Sequence, residues 1–143
     1  MDDLDKGDTY TVRDMGLAEN GALLVDWARA RMPVLAKLKE EAEQTKPLAG
    51  MRVAGCLHVT KETAVLIEAI RAAGADISWS GCNPLSTQDE VAAWLASEGY
   101  SVHAWHGQST EDFYWCIDKT LEFKPTLTPV SYTHLRAHET ELD

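Results

Sequence analysis

The stretch GCLHVTKETAVLIE, Gly55 to Glu68, changes character halfway through. Its first residues close an apolar run that begins at Met51, and its last residues place apolar side chains at helical spacing. Between them His58, Thr60 and Glu62 stand at every second position. A short apolar run that turns into an amphipathic helix is the repeating unit of parallel sheets. Two more such units follow: DISWSGC (76–82) with QDEVAAWLASEG (88–99), and YSVHAWH (100–106) with EDFYWCIDKTLEF (111–123). Helix starts are signalled by Thr60, by Ser86 or Thr87 with Glu90 completing a capping box, and by Ser109 or Thr110. Gly74 and Gly99 stand where helices end, and KPTLTP (124–129) reads as the beginning of a fourth strand.

Upstream, the segment from Leu17 to Gln44 is helical in period, with Leu24, Trp27 and Ala28 on one stripe and Leu35 and Leu38 beyond Pro33. Proline cannot donate to the preceding turn but suits a first helical position, so one helix is expected to end near Arg31 and a second to begin at Pro33. The expected fold class is α/β: amino-terminal helices, then a truncated parallel, three-layer Rossmann- or flavodoxin-like βαβαβα unit. The expected divisions are an amino-terminal helical segment over 1–50, a partial substrate-binding α/β domain over 51–129 and a non-native tail over 130–143.

Composition narrows the function. A chain of 143 residues with 13 Lys plus Arg against 23 Asp plus Glu, a net charge of -10, lacks the basic footprint of a nucleic-acid binder. The start, MDDLDKGD, carries no apolar leader, and no run is long enough to span a bilayer, so a cytoplasmic protein without membrane partners is expected. Cys56, Cys82 and Cys116 are odd in number and widely spaced, which favours packed thiols over a disulfide framework or a zinc cage. His103 and His106 lack a second ligand at metal spacing, and the five tryptophans fit apolar faces, so no metal is expected and the indoles are read as core.

In open parallel sheets ligands bind beyond the carboxyl ends of the strands. That edge is expected to carry His58, Thr60 and Glu62, then Asn83, Ser86, Thr87, Gln88 and Asp89, then His106, Gln108 and Ser109. The first turn, GCLHVT, has neither glycine pattern that lets a diphosphate approach the backbone. Each residue also has a plainer role. Thr60, Ser86, Thr87 and Ser109 could serve only as caps, Glu62 suits a helix amino terminus whatever the function, and His58 could be a rim histidine. Residue pattern alone ends at a small-ligand α/β domain.

The blocks AGCLHVTKETAVLIE, CNPLSTQDEVAA and FYWCIDKTL, with DMGLAENGALLVDWARARMPVLAKLKEE before them, closely resemble the amino-terminal part of S-adenosyl-L-homocysteine hydrolase, from Val12 to Thr128. The resemblance implies a reversible hydrolysis of S-adenosyl-L-homocysteine to adenosine and homocysteine, with tightly bound NAD and a homo-oligomeric parent. It implies that Thr60 and Glu62 hold the adenine edge, where a hydroxyl can serve a ring nitrogen and a carboxylate can accept from an exocyclic amine. His58 is implied to be catalytic, near the ribose and the departing thiol, where an imidazole can move a proton. Gln88, Cys82 and Asn83 are implied to border the same pocket. No part of an NAD-binding domain is present.

After Pro129 the sequence becomes VSYTHLRAHET, Val130 to Thr140, which matches nothing in that family and resembles a translated sequencing adapter. His134 and His138, an inviting i, i+4 pair, are therefore set aside. Two classes remain: an inactive fragment of an NAD-dependent hydrolase, and a stand-alone flavodoxin-like module for a small ligand or protein partner. A phosphoacceptor module would need acids at the first strand end, and GCLHVT has none.

Overall fold

The computed structural model of the chain describes residues 2–130. Five strands, β1 (Asp5–Lys6), β2 (Tyr10–Val12), β3 (Arg52–Cys56), β4 (Asp76–Ser80) and β5 (Ser101–His103), form one sheet in the order β1-β2-β5-β4-β3. Only β1 runs antiparallel to its neighbour; β2, β5, β4 and β3 are parallel. The helices are α1 (Ala18–Ala30), α2 (Pro33–Thr45), α3 (Lys61–Ala72), α4 (Asp89–Ser97) and α5 (Thr110–Leu121). This is the expected α/β class, with the three strand–helix units in place.

Local signals explain most boundaries. Pro33 is the first residue of α2, and α1 ends at Ala30, so the proline divides two helices as expected. Thr60 and Ser109 cap α3 and α5, accepting from the backbone N–H of Thr63 and Asp112. Gly74 and Gly99 follow α3 and α4 with φ of +102° and +87°, a backbone that only glycine adopts without cost. Residues 126–130 begin a further strand beside β3: Ala54 N–H donates to Leu127 O at 3.1 Å and Cys56 N–H to Pro129 O at 3.0 Å.

Three expectations need correction. The capping box at Ser86 or Thr87 does not form; α4 begins at Asp89 behind Gln88, which makes no side-chain cap bond. The first 50 residues are not purely helical, because β1 and β2 join the sheet edge, Tyr10 beside Val102 and Thr11 beside His103. Trp27 is not core: it is 50% exposed, with the Arg31 guanidinium 3.7 Å above its ring, while Gly21, Val25 and Ala28 form the buried stripe of α1. Trp79, Trp94 and Trp105 are buried as expected. His134 and His138 lie outside the described residues.

The main core lies between the sheet and the helices α1, α3 and α4, where Val12, Ile77, Trp79 and Val102 meet Val25, Val65, Ile67, Val91 and Leu95. Two close approaches shape it. A Cβ at Gly21 would lie 1.9 Å from Glu90 O, so only glycine lets α1 press on α4. A Cβ at Gly55 would lie 2.3 Å from Trp79 Cζ3, so the indole fills the space above β3 that a side chain would take. A smaller cluster, Cys56, Cys82, Phe113 and Ile117, seats α5. The crossovers from β3 through α3 and α4 to β5 leave the carboxyl ends of three adjacent strands at one edge, which is where a site can be assembled.

Candidate functional site

Helix α3 starts immediately after the β3 turn, and its first-turn N–H groups are all satisfied within the chain. Lys61 N–H donates to Gln88 Oε1 at 2.9 Å, Thr63 N–H to Thr60 Oγ1 at 3.4 Å and Ala64 N–H to Thr60 O at 2.9 Å. The Glu62 carboxylate serves its own N–H. With every donor engaged, this terminus is not a phosphate nest, in keeping with the absence of a glycine cradle in the turn.

His58 and Cys82 meet across the β3 and β4 loops, with Nδ1 of the imidazole 3.4 Å from Sγ. Cys82 is 1% exposed whereas His58 is exposed, so the thiol forms the floor and the ring projects from it. This contact leaves Nε2 as the nitrogen available to a ligand. Glu62 lies on the solvent side, its Oε1 3.1 Å from Lys61 Nζ. Burial pushes its carboxyl up, but its own N–H, the Lys61 ammonium and the Thr60 hydroxyl outweigh that and hold it below the usual carboxylate range. The Thr60 hydroxyl also lies 3.3 Å from that of Thr63, so its proton can go to that oxygen, to the Glu62 carboxylate or to a ligand.

The second and third loops are fastened to each other and to the first. Asn83 Oδ1 accepts from Leu85 N–H at 2.8 Å, and Ser86 Oγ donates to Asn83 O at 3.2 Å, so both side chains shape their own turn. Gln88 N–H donates to Val59 O at 2.9 Å, which ties the second loop to the first. Gly107 N–H and Gln108 N–H both reach Pro84 O, and Asp89 Oδ1 accepts from His106 N–H at 2.9 Å, tying the third loop to the second. Gln108 points inward, donating from Nε2 to Cys116 Sγ at 3.2 Å, and Ser109 is spent on its helix. Thr87 is buried, and its Oγ1 has no hydrogen-bond partner among the described residues.

His58, Thr60, Glu62, Cys82, Asn83 and Gln88 thus fall within two adjoining loops, while the third loop contributes mainly backbone. Arg13 escaped the sequence reading: its Nη2 donates to His106 O at 2.7 Å and anchors the third loop from the end of β2. Its only signal was an arginine after a three-residue strand too short to recognise. Beside the first two loops runs a groove of about 760 Å³, lined by Leu23, Leu24, Trp27, Lys61, Gln88 and Glu90 among others. Another, of about 700 Å³, lies at the opposite edge, where Lys46 and Arg71 donate to the terminal carbonyls of α3 and α4. All three cysteines are buried, and burial foremost pushes the Cys56 and Cys116 thiols up to about 12, so neither is a reactive thiolate. The described residues include no group of three or more His, Cys, Asp or Glu placed to hold a metal ion.

Residues 9–131 match the family model for S-adenosyl-L-homocysteine hydrolase. The chain belongs to that family. It is 47% identical over 116 residues to the adenosylhomocysteinase of Sulfolobus acidocaldarius, a match covering 81% of this chain and 28% of that protein. The adenosylhomocysteinase of Sulfurisphaera tokodaii is 45% identical over 118 residues, covering 82% of this chain and 28% of the relative. The S-inosyl-L-homocysteine hydrolase of Methanopyrus kandleri is 46% identical over 118 residues, with the same two coverages of 82% and 28%. The chain therefore spans little more than a quarter of the length of the S-adenosyl-L-homocysteine hydrolase relatives it matches. Among the described residues, no helix is long and apolar enough to cross a membrane.

Proposed function

We propose that the β3–α3 and β4–α4 loops are one wall of the substrate site of a hydrolase that reversibly cleaves S-adenosyl-L-homocysteine to adenosine and homocysteine, and that this chain alone does not turn over. The observation that carries the reading is the His58–Cys82 contact across two loops, with Thr60 and Glu62 one turn away on the same edge. His58 is the proton-moving group, its Nδ1 held by the thiol and its Nε2 directed to the sugar and leaving sulfur. Thr60 and Glu62 read the base: the carboxylate accepts from the exocyclic amine and the hydroxyl serves a ring nitrogen. Cys82 and Asn83 close the floor, and Gln88 stands at the border.

NAD is the cofactor that the family resemblance implies, and in the parent it supplies the redox chemistry. The described residues do not fit as its cradle: Leu57, His58 and Val59 occupy the first turn where a diphosphate needs glycine, and the α3 donors are engaged. A cytoplasmic, homo-oligomeric parent belongs to the same proposal.

The test is a chimera in which residues 2–130 replace the matching part of the Sulfolobus acidocaldarius enzyme, assayed by thiol release. Glu62→Ala and Thr60→Ala should each raise KM by roughly one hydrogen bond, about 0.5–3 kcal/mol depending on charge. His58→Ala should instead lower kcat; an unchanged kcat at saturation would overturn its assignment. The Methanopyrus kandleri relative makes the base worth varying. A carboxylate at Glu62 favours the adenine amine over the hypoxanthine carbonyl, so the inosyl substrate should be the poorer one, and Glu62→Gln should narrow the gap.

A further inference from the structure

Gln88 and Asp89 connect the three loops, and the atoms they use for this are specific. Gln88 bonds to the first loop twice: its N–H donates to Val59 O at 2.9 Å, and its Oε1 accepts from Lys61 N–H at 2.9 Å. A backbone N–H can be received only by the oxygen of the amide, so the orientation of this side chain is settled by its partner. Asp89 turns the other way and holds His106 N–H at 2.9 Å, while Arg13 Nη2 holds His106 O at 2.7 Å.

Lys61 is the first helical residue of α3, and its N–H is one of the donors that a helix cannot satisfy internally. The cap Thr60 serves Thr63 and Ala64, and Glu62 serves itself, so the Lys61 donor falls to Gln88 alone. That bond spans 27 residues of chain and fixes where α3 begins relative to β4. Thr60 and Glu62 flank the bonded N–H on either side, so their direction depends on it.

We propose that Gln88 is a positioning residue. It orients Thr60 and Glu62 through the Lys61 amide, its side-chain oxygen is committed to that bond, and it recognises no part of the substrate. The positioning of the α3 start stands on the geometry; its consequence for substrate rests on the site reading given above.

Two substitutions separate a positioning role from a contact. Gln88→Met keeps the length of the side chain and removes the acceptor. Gln88→Glu keeps an acceptor and removes the NH2 that a substrate contact would use. In the 143-residue chain, amide hydrogen exchange of Lys61 should accelerate about tenfold in Gln88→Met relative to the Trp79 amide of the same sample, and stay within about twofold of native in Gln88→Glu. Comparison within one sample keeps the result decisive if the Met variant is less stable overall. Unchanged Lys61 exchange in Gln88→Met, or equal acceleration in both variants, would overturn the proposal. In the chimera, Gln88→Met should raise KM for the nucleoside several-fold with kcat little changed, and Gln88→Glu should restore it; a raised KM in Gln88→Glu would show a substrate contact and refute the assignment. A native chimera that cleaves nothing would defeat the site reading, while the exchange result would still decide whether Gln88 positions α3.

Discussion

The two faces of the sheet are built from different chemistry. Toward α1, α3 and α4 it presents Val12, Ile77, Trp79 and Val102, all joined in the main core. Toward α5, the cross-strand rows are Ala54–Ser78–Ser101 and Cys56–Ser80–His103–Thr11, small or polar at every position. Two polar pairs form there: Ser78 Oγ with Ser101 Oγ at 3.0 Å, and His103 Nδ1 with Thr11 Oγ1 at 3.1 Å. Beside them a cavity of about 420 Å³ opens under Trp115 and Lys119. One face holds by apolar burial, which is large and non-directional. The other holds by hydrogen bonds whose net worth is small but whose disruption is costly.

The sharpest way to break this contrast is at Trp79, which is 1% exposed. Trp79→Ala should destabilise the chain by about 3–5 kcal/mol in urea unfolding, and a loss under about 1 kcal/mol would deny the helix-packed face its dominant role.

Acid should act next, through the polar face. Burial foremost, with the Lys119 ammonium adding and Glu122 opposing, pushes His103 down to about 4 from the ordinary 6.5. The unfolded chain therefore binds a proton between those values that the folded chain refuses. The contribution of the neutral ring is complete above about 6.5 and is lost as pH falls toward 4, on the order of 3 kcal/mol in all. Melts between pH 7 and 4 should show that slope, and His103→Gln should flatten it. An unaltered slope would place the acid sensitivity elsewhere.

The smallest effect belongs to the serine pair. Ser78→Ala should cost about 1 kcal/mol by leaving Ser101 without its partner, whereas Ser78→Ala with Ser101→Ala should return close to native stability. Additive losses in that cycle would show that the two hydroxyls are not coupled.

The parts of the fold legible in the sequence were those where local chemistry and tertiary need agree. Pro33, Gly74, Gly99, Thr60 and Ser109 each act on the residues around them, and the structure uses each as its chemistry suggests. β1 and β2 were not legible, because two- and three-residue strands carry no periodicity and Thr11 pairs with His103, 92 residues away. Trp27 misled because an apolar stripe says which residues can be buried, not which find a partner. The start of α4 misled because Asn83 and Ser86 hydrogen-bond within the turn and delay the helix. At the candidate site, residue types and spacing identified the loops, whereas the commitment of Gln88 to Lys61 and of Gln108 to Cys116 is a matter of side-chain direction that spacing does not encode.

Gly55 opposite Trp79 has a consequence for how the chain finds its fold. Side chains alternate between the faces of a strand with a period of two, so sliding one strand past another by two residues preserves the pattern of faces and goes largely unpunished. Here a slide of β3 by two brings Val53 or Leu57 under the indole, where even a methyl-sized group collides with the ring. The missing side chain thus works as a keyway: among near-equivalent alignments of β3 on β4, it admits one.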